Sequence, residues 1–215
     1  MADRADETSI LIGAKSQEDR KKILADLFTE HRSRLRAMVR LRIDRRLKAR
    51  LDPSDILQEA FLEASEKLDE YVKNPSMPVF IWLRWLTARK LVDFHRHHLG
   101  ARKRSPAREV SIERGWGPPS QTWAMAERLL GRELSPSQAA VKAETQARIE
   151  KALEQLDEVD REVLALRHFE RLSSREAAEV LGIRHDAARK RYLRAVEKLR
   201  EILVEMPGIG EDLGP

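Results

Sequence analysis

Charge in this chain is laid down in blocks, and the blocks ride on helical periodicity. From His31 to Arg50 nine Lys or Arg residues stand against one acid, and from Asp52 to Glu70 seven acids stand against one base. Arg84 to Arg104 carries seven bases and one acid, joined by His95, His97 and His98; Arg184 to Arg200 carries seven bases and two acids. Between the charges, apolar residues recur at three- and four-residue spacing, and strand-like alternation is scarce. Such a chain folds as helices with charged surfaces and narrow apolar stripes, so the expected class is all-α. One basic block is an ordinary solvated helix face. Three around one acidic block point to several faces with different partners. A basic face concentrates polyanions, of which nucleic acid is the commonest large one.

At 215 residues there is room for one domain or for two small helical ones. No apolar stretch approaches the roughly 20 residues that cross a bilayer. The first 17 residues carry Asp3, Asp6 and Glu7 and lack the apolar core of a secretory signal. The chain has no cysteine, which removes a disulfide scaffold, a thiolate zinc finger and a cysteine nucleophile together, and fits a reducing compartment. The expectation is a cytoplasmic protein without membrane insertion.

The periodicity predicts a first long helix over about Gln17–Leu51, with Leu24, Leu27, Phe28, Leu35, Met38 and Val39 on one face. Asp52 then offers a cap, Pro53 suits the first helical position, and Asp55 sits in the first turn. Ile56, Leu57, Ala60, Phe61, Ala64 and Leu68 form the apolar stripe of this second helix, leaving Asp55, Glu59, Glu63, Glu66 and Glu70 to the remaining surface. Asn74, Pro75, Ser76 and Pro78 break the chain. A third helix is expected over Val79–Leu99, apolar and aromatic at its start and basic at its end, stopped by Gly100. From Ala101 to about Pro136 the composition is that of a linker with one short helix near Thr122–Leu130; Trp116 and Trp123 in it are best explained as a local apolar cluster. Helices are then expected up to about Leu156, over Glu158–Phe169, over Ser174–Leu181 and over about Asp186–Leu203. The corresponding division is an amino-terminal tail (1–18), a helical domain (19–101), a flexible linker (102–140), a second helical domain (141–204) and a disordered tail (205–215).

The stretch Ser173-Ser174-Arg175-Glu176-Ala177-Ala178-Glu179-Val180-Leu181-Gly182-Ile183 carries the clearest chemistry. Ser173 with Glu176 forms a capping box, Ala177 and Ala178 permit close helix contact, and Gly182 permits a tight turn. The next helix presents Arg189, Lys190, Arg191 and Arg194, with Ala188, Tyr192 and Ala195 facing inward. This is the pattern of a helix-turn-helix whose second helix enters the major groove.

Together with the amino-terminal half, the chain resembles bacterial RNA polymerase sigma factors of the extracytoplasmic-function (ECF) type in the sigma-70 family. Asp52-Pro53-Ser54-Asp55-Ile56-Leu57-Gln58-Glu59-Ala60-Phe61-Leu62 is similar to the family's acidic polymerase-docking helix. Phe80-Ile81-Trp82-Leu83 and Asp93-Phe94-His95-Arg96 are similar to its melting and −10-reading helix, and Leu156–Arg200 to its −35-reading domain. The style of both domains and the irregular middle resemble the planctomycete-type subgroup. Three positions depart from the family pattern. Arg84-Trp85 replaces an aromatic or apolar residue followed by arginine, Arg89 stands where asparagine is usual, and Arg184 stands where a small residue caps the recognition helix.

The resemblance implies a sigma factor and a set of roles. Asp55, Gln58, Glu59 and Glu63 would bind polymerase; Asn74, Ser76, Trp85, Arg89 and Arg96 would engage the −10 element during melting; Arg189, Lys190, Arg191, Leu193 and Arg194 would read the −35 element. Trp82, at helical spacing among apolar neighbours, reads as core. The implied partners are core RNA polymerase, through its β′ clamp helices and β flap, promoter DNA, and an anti-sigma factor or other regulator. No catalytic residue, metal or cofactor is expected. Asp93 and His97 are one turn apart but lack a third ligand at motif spacing, and no glycine-rich phosphate loop is present. The competing readings are a helix-turn-helix regulator that works without polymerase, and a membrane-surface protein using the basic helix at Val79–Leu99.

Overall fold

The structure, a computed structural model, describes residues 5–44, 46–47, 50–99, 122, 124–127 and 139–205. Every regular element among them is helical. The chain divides into two compact units, Met1–Val110 and Ser111–Pro215. No described helix is long and apolar enough to cross a membrane.

In the amino-terminal unit, α1 (Ala5–Gly13), α2 (Gln17–Arg42), α3 (Pro53–Glu66), α4 (Leu68–Lys73) and α5 (Val79–Leu99) follow in order. The core is a bundle in which α2, α3 and α5 pack pairwise. The expected stripes face inward: Leu24, Leu35, Met38 and Val39 of α2 meet Ile56, Leu57, Ala60 and Ala64 of α3, and Leu83, Leu86 and Leu91 of α5 close the bundle. Each such leucine contributes about 1.5–3 kcal/mol through burial. Phe28 and Phe61 pack with ring centroids 5.0 Å apart. Trp82 is buried as expected, stacked on Tyr71 at 4.2 Å.

Two boundaries differ from the sequence expectation. The first helix stops at Arg42 rather than near Leu51, because Asp44 offers the chain a local alternative. Its carboxylate accepts from the Arg46 backbone N–H at 2.8 Å and from the Arg46 guanidinium at 2.6 Å. Such Asp side-chain bonds compete with helix continuation. The Asp44 backbone N–H in turn donates to Nε2 of buried His95 at 3.2 Å. The second difference is α1. Residues expected as a tail form a helix whose Leu11 is fully buried and whose Glu7 pairs with buried His31 at 2.8 Å.

The carboxy-terminal unit contains α6 (Ala139–Gln155), α7 (Glu158–Leu164), a π-helical segment (Ala165–Phe169), α8 (Ser174–Leu181) and α9 (His185–Val204). Val163, Leu164, Leu166, Phe169 and Leu172 pack with Ala177 and Ala178 of α8 and with Ala188, Ala195 and Leu199 of α9 in its core, which α6 joins with Ile149 and Leu153. The helix expected over Glu158–Phe169 widens in its last part: the Glu170 N–H reaches the Ala165 carbonyl at 3.1 Å and the Leu172 N–H reaches Leu166 at 2.8 Å. Arg171 takes a left-handed φ of 57° just after the widening. The Arg167 guanidinium donates to the Leu172 carbonyl and ties the segment off. Residues 122 and 124–127 are helical, within the short helix expected near Thr122–Leu130. Most of the expected linker, with Trp116 and Trp123, and the tail from residue 206 lie outside the described residues.

Candidate docking and nucleic-acid surfaces

The acidic surface begins at the start of α3. Asp52 caps it, accepting from the Ser54 N–H at 2.8 Å with Pro53 inside the first turn. This hydrogen bond holds the Asp52 carboxyl below its ordinary range. The cap sets the phase of the helix, so Ile56, Leu57 and Ala60 point inward and Asp55, Gln58 and Glu59 point to solvent. Leu62, 49% exposed, lies among them, one turn on from Gln58 and Glu59. Sequence reading gave it no role; an exposed leucine at the centre of an acidic rim became visible only once the helix phase was known.

Glu63 does not share that surface. It is 6% exposed and faces α5, with Lys67 Nζ at 3.1 Å, Lys90 Nζ at 3.2 Å and the Arg89 guanidinium on its carboxylate. The expectation that Glu63 lines an open acidic face is therefore corrected. A carboxylate taken from water needs compensating cations, and α5 supplies them. Arg89 is drawn into the same cluster while its guanidinium also sits 5.0 Å from the Trp85 ring centroid.

Asn74 and Ser76 are exposed in the turn between α4 and α5. Trp85 is 46% exposed on α5, unlike Trp82, and Arg96 is exposed near the end of that helix. Asp93, His97 and His98 are exposed too, and among the described residues no group of three acids or histidines is placed to hold a metal ion.

In the carboxy-terminal unit the turn forms as its residues dictate. The Ser173 N–H donates to Glu176 Oε2 at 2.6 Å, and the Glu176 N–H donates to Ser173 Oγ at 3.2 Å. At the other end of α8, Gly182 adopts φ 63°, where a side chain would be strained. The Ile183 N–H bonds back to Ala178 at 3.0 Å and closes the helix as a Schellman motif. Arg184 stands at the N-cap of α9 without a side-chain capping bond, and the helix starts at His185.

On α9, Ala188, Ala195, Leu199 and Leu203 form the buried stripe. Arg189, Lys190 and Arg194 are exposed, Leu193 between them is 54% exposed, and Arg191 is half-buried. Tyr192 is half-buried rather than fully inward. Its hydroxyl lies 3.1 Å from His168 Nε2 of the π segment, and the Arg167 guanidinium lies 5.4 Å from its ring. The foot of the helix is tied by Lys198, whose ammonium lies 3.1 Å from Asp157 and 3.4 Å from Asp160. Asp157 caps α7 through the Asp160 N–H, and that bond, helped by Lys198, lowers its pKa to about 2. Burial and the neighbouring Asp157 raise Asp160.

Residues 146–199 match the family model for Sigma-70, region 4. Over 154 residues the chain is 29% identical to the ECF RNA polymerase sigma factor SigD of Mycobacterium tuberculosis (strain ATCC 25618 / H37Rv), covering 72% of this chain and 64% of that protein. Over 153 residues it is 28% identical to the RNA polymerase sigma-H factor of Pseudomonas aeruginosa, covering 71% of this chain and 73% of that protein. The match therefore spans slightly under two thirds of the mycobacterial relative. A solved structure of CnrH in complex with the cytosolic domain of CnrY aligns with a TM-score of 0.49 at 22% identity, over 94% of this chain and 97% of that one.

Proposed function

We propose that this chain, a sigma factor of the ECF type in the sigma-70 family, binds core RNA polymerase, directs it to promoters and helps to open them. The observation that carries the reading is a division of labour between the two units. One presents an exposed acid-rimmed helix face, at Asp55, Gln58 and Glu59; the other presents an exposed basic helix behind a capped turn, at Arg189, Lys190 and Arg194. An acidic rim steers a basic partner surface and sets register; its proposed partner is the β′ clamp helices, and that of the carboxy-terminal unit is the β flap. Glu63 takes no direct part and instead positions Arg89 and Lys90.

On α9, an arginine forked onto guanine O6 and N7 specifies a base, whereas a lysine on phosphate adds affinity without sequence. Opening DNA takes bases out of the stack at a cost of a few kcal/mol each, offset by new stacking and hydrogen bonds. Asn74 and Ser76 offer those bonds from the α4–α5 turn. The exposed Trp85 ring, with Arg89 beside it, offers a stacking surface, and Arg96 a phosphate contact. The chain holds no catalytic chemistry of its own and works in the cytoplasm, under an anti-sigma factor or another regulator. Run-off transcription with core polymerase on the promoter of its own gene, with and without the chain, tests the reading. A transcript only when both are present is expected; the same transcript from core enzyme alone would overturn it.

A further inference from the structure

The α4–α5 turn is exposed at Asn74, Pro75 and Ser76, yet it is anchored from three directions. At its far end the Tyr71 hydroxyl donates to the Met77 carbonyl at 2.7 Å. Two residues later α5 begins, and its first N–H groups lack helical partners. Pro78, just before it, has no side chain able to cap. The Val79 N–H instead donates to Thr8 Oγ1 at 2.9 Å, a cap supplied by α1 from 71 residues away. The Thr8 hydroxyl also hydrogen-bonds Tyr71, whose phenol is pushed up to about 12 by burial. The assembly is stiff. Tyr71 is stacked on buried Trp82, and α1 is fastened independently by fully buried Leu11 and by Glu7 on buried His31. The His31 ring packs on Phe80, the second residue of α5, at 4.8 Å.

We propose that α1 is a brace for this turn: Thr8, acting with Tyr71, is a positioning residue that holds Asn74 and Ser76 where a promoter base leaving the stack is captured. The inference rests on the −10 role proposed above for Asn74 and Ser76. A hydrogen-bonding site discriminates between bases only if its donors and acceptors are held still, since each must be met within a narrow range of distance and angle. Releasing the Val79 N–H and the Met77 carbonyl from their partners frees the end of the turn without touching any group that would contact DNA.

The test uses the full chain with core polymerase on promoters selected by the wild-type holoenzyme from a library randomised across the −10 element. Base preference and permanganate reactivity of unpaired thymines are read for Thr8→Val, Thr8→Ser, Tyr71→Phe and the Asn74→Ala/Ser76→Ala double variant. Thr8→Val and Tyr71→Phe are expected to flatten preference at one −10 base by about fivefold, the size of one lost hydrogen bond. The double variant should flatten the same base, Thr8→Ser should restore it, and core affinity and −35 preference should stay unchanged. Wild-type preference in Thr8→Val beside a flattened double variant would overturn the brace and leave the −10 reading standing. Full preference in the double variant would overturn both. Loss of core affinity together with preference, unrescued by Thr8→Ser, would reduce Thr8 to a structural residue and overturn the inference.

Discussion

α5 and α9 are both basic, and each was expected to put its arginines on promoter DNA, but their charges meet different neighbours. On α5, Arg89 and Lys90 lie against the buried Glu63 carboxylate of α3. On α9, Arg189, Lys190 and Arg194 are exposed and pair with no described residue, while Lys198, one turn below Arg194, is taken up by Asp157 and Asp160. The amino-acid types and spacings are alike. The difference lies in the helix packed alongside: an acidic α3 turns basic side chains into internal adhesive, whereas the acids beside α9 reach only its foot. A basic helix is thus an interface only over the stretch its neighbours leave unpaired.

The strongest way to break this comparison is to remove the shared anion. Glu63→Ala should lower stability by about 3 kcal/mol, in the range for losing one partner of a buried charged cluster, read as an earlier urea midpoint. The value is at the low end because Lys67, Lys90 and Arg89 are partly exposed and regain water. An unchanged midpoint would return Glu63 to the docking face. Glu59→Lys, on the exposed rim, should leave the midpoint within about 0.5 kcal/mol and weaken the pull-down with core enzyme instead.

Next in size is α9. Arg189→Ala or Arg194→Ala should cost about 1–3 kcal/mol of promoter affinity and relax one position of the −35 element. Identical preferences in wild type and both variants on a library randomised at that element would remove α9 from sequence reading. Tyr71 sharpens the contrast from the packed side. In a Tyr192→Phe background it is the remaining tyrosine, and its tyrosinate absorbance should appear near its raised pKa of about 12. Because the folded value lies above the unfolded one, the stability it contributes is full below about pH 10 and is lost as pH rises through about 12. Titration near the ordinary phenol value would mean the ring is not buried. The smallest effect is expected for Lys198→Met: under about 1 kcal/mol of stability, as for an exposed pair, with promoter affinity and its salt dependence unchanged. A shallower salt slope would place Lys198 on phosphate and blur the line between paired and unpaired bases.

Much of this was legible in the residues. The all-α class, the inward stripes of α2, α3 and α5, the Asp52-Pro53 start and the Ser173–Glu176 box with Gly182 all follow from short-range patterns, because caps and periodicity are decided within a few residues. What sequence reading missed depends on longer reach. The Asp44 side chain that ends α2 sits in a run rich in helix formers. Short α1 has little to recommend it as a helix until Leu11 finds the core and Thr8 finds Val79. Glu63 differs from Glu59 by one residue, about 100° of helix phase, which moves a carboxylate from solvent to the α3–α5 seam. The roles assigned to exposed residues rest on resemblance and wait on the measurements above.

The π segment Ala165–Phe169 acts as a spacer that sets angle. Its wider turn takes up one residue more than α-helical winding would over the same rise. Deleting a single residue there would let α7 continue at 3.6 residues per turn and swing everything downstream by about 100°. Leu172 and the capped turn would leave the apolar face they now cover, and the reading helix would be re-aimed with all of its own residues intact. A frameshift-free loss of one codon, far in sequence from any arginine that meets DNA, would thus silence recognition by phase alone.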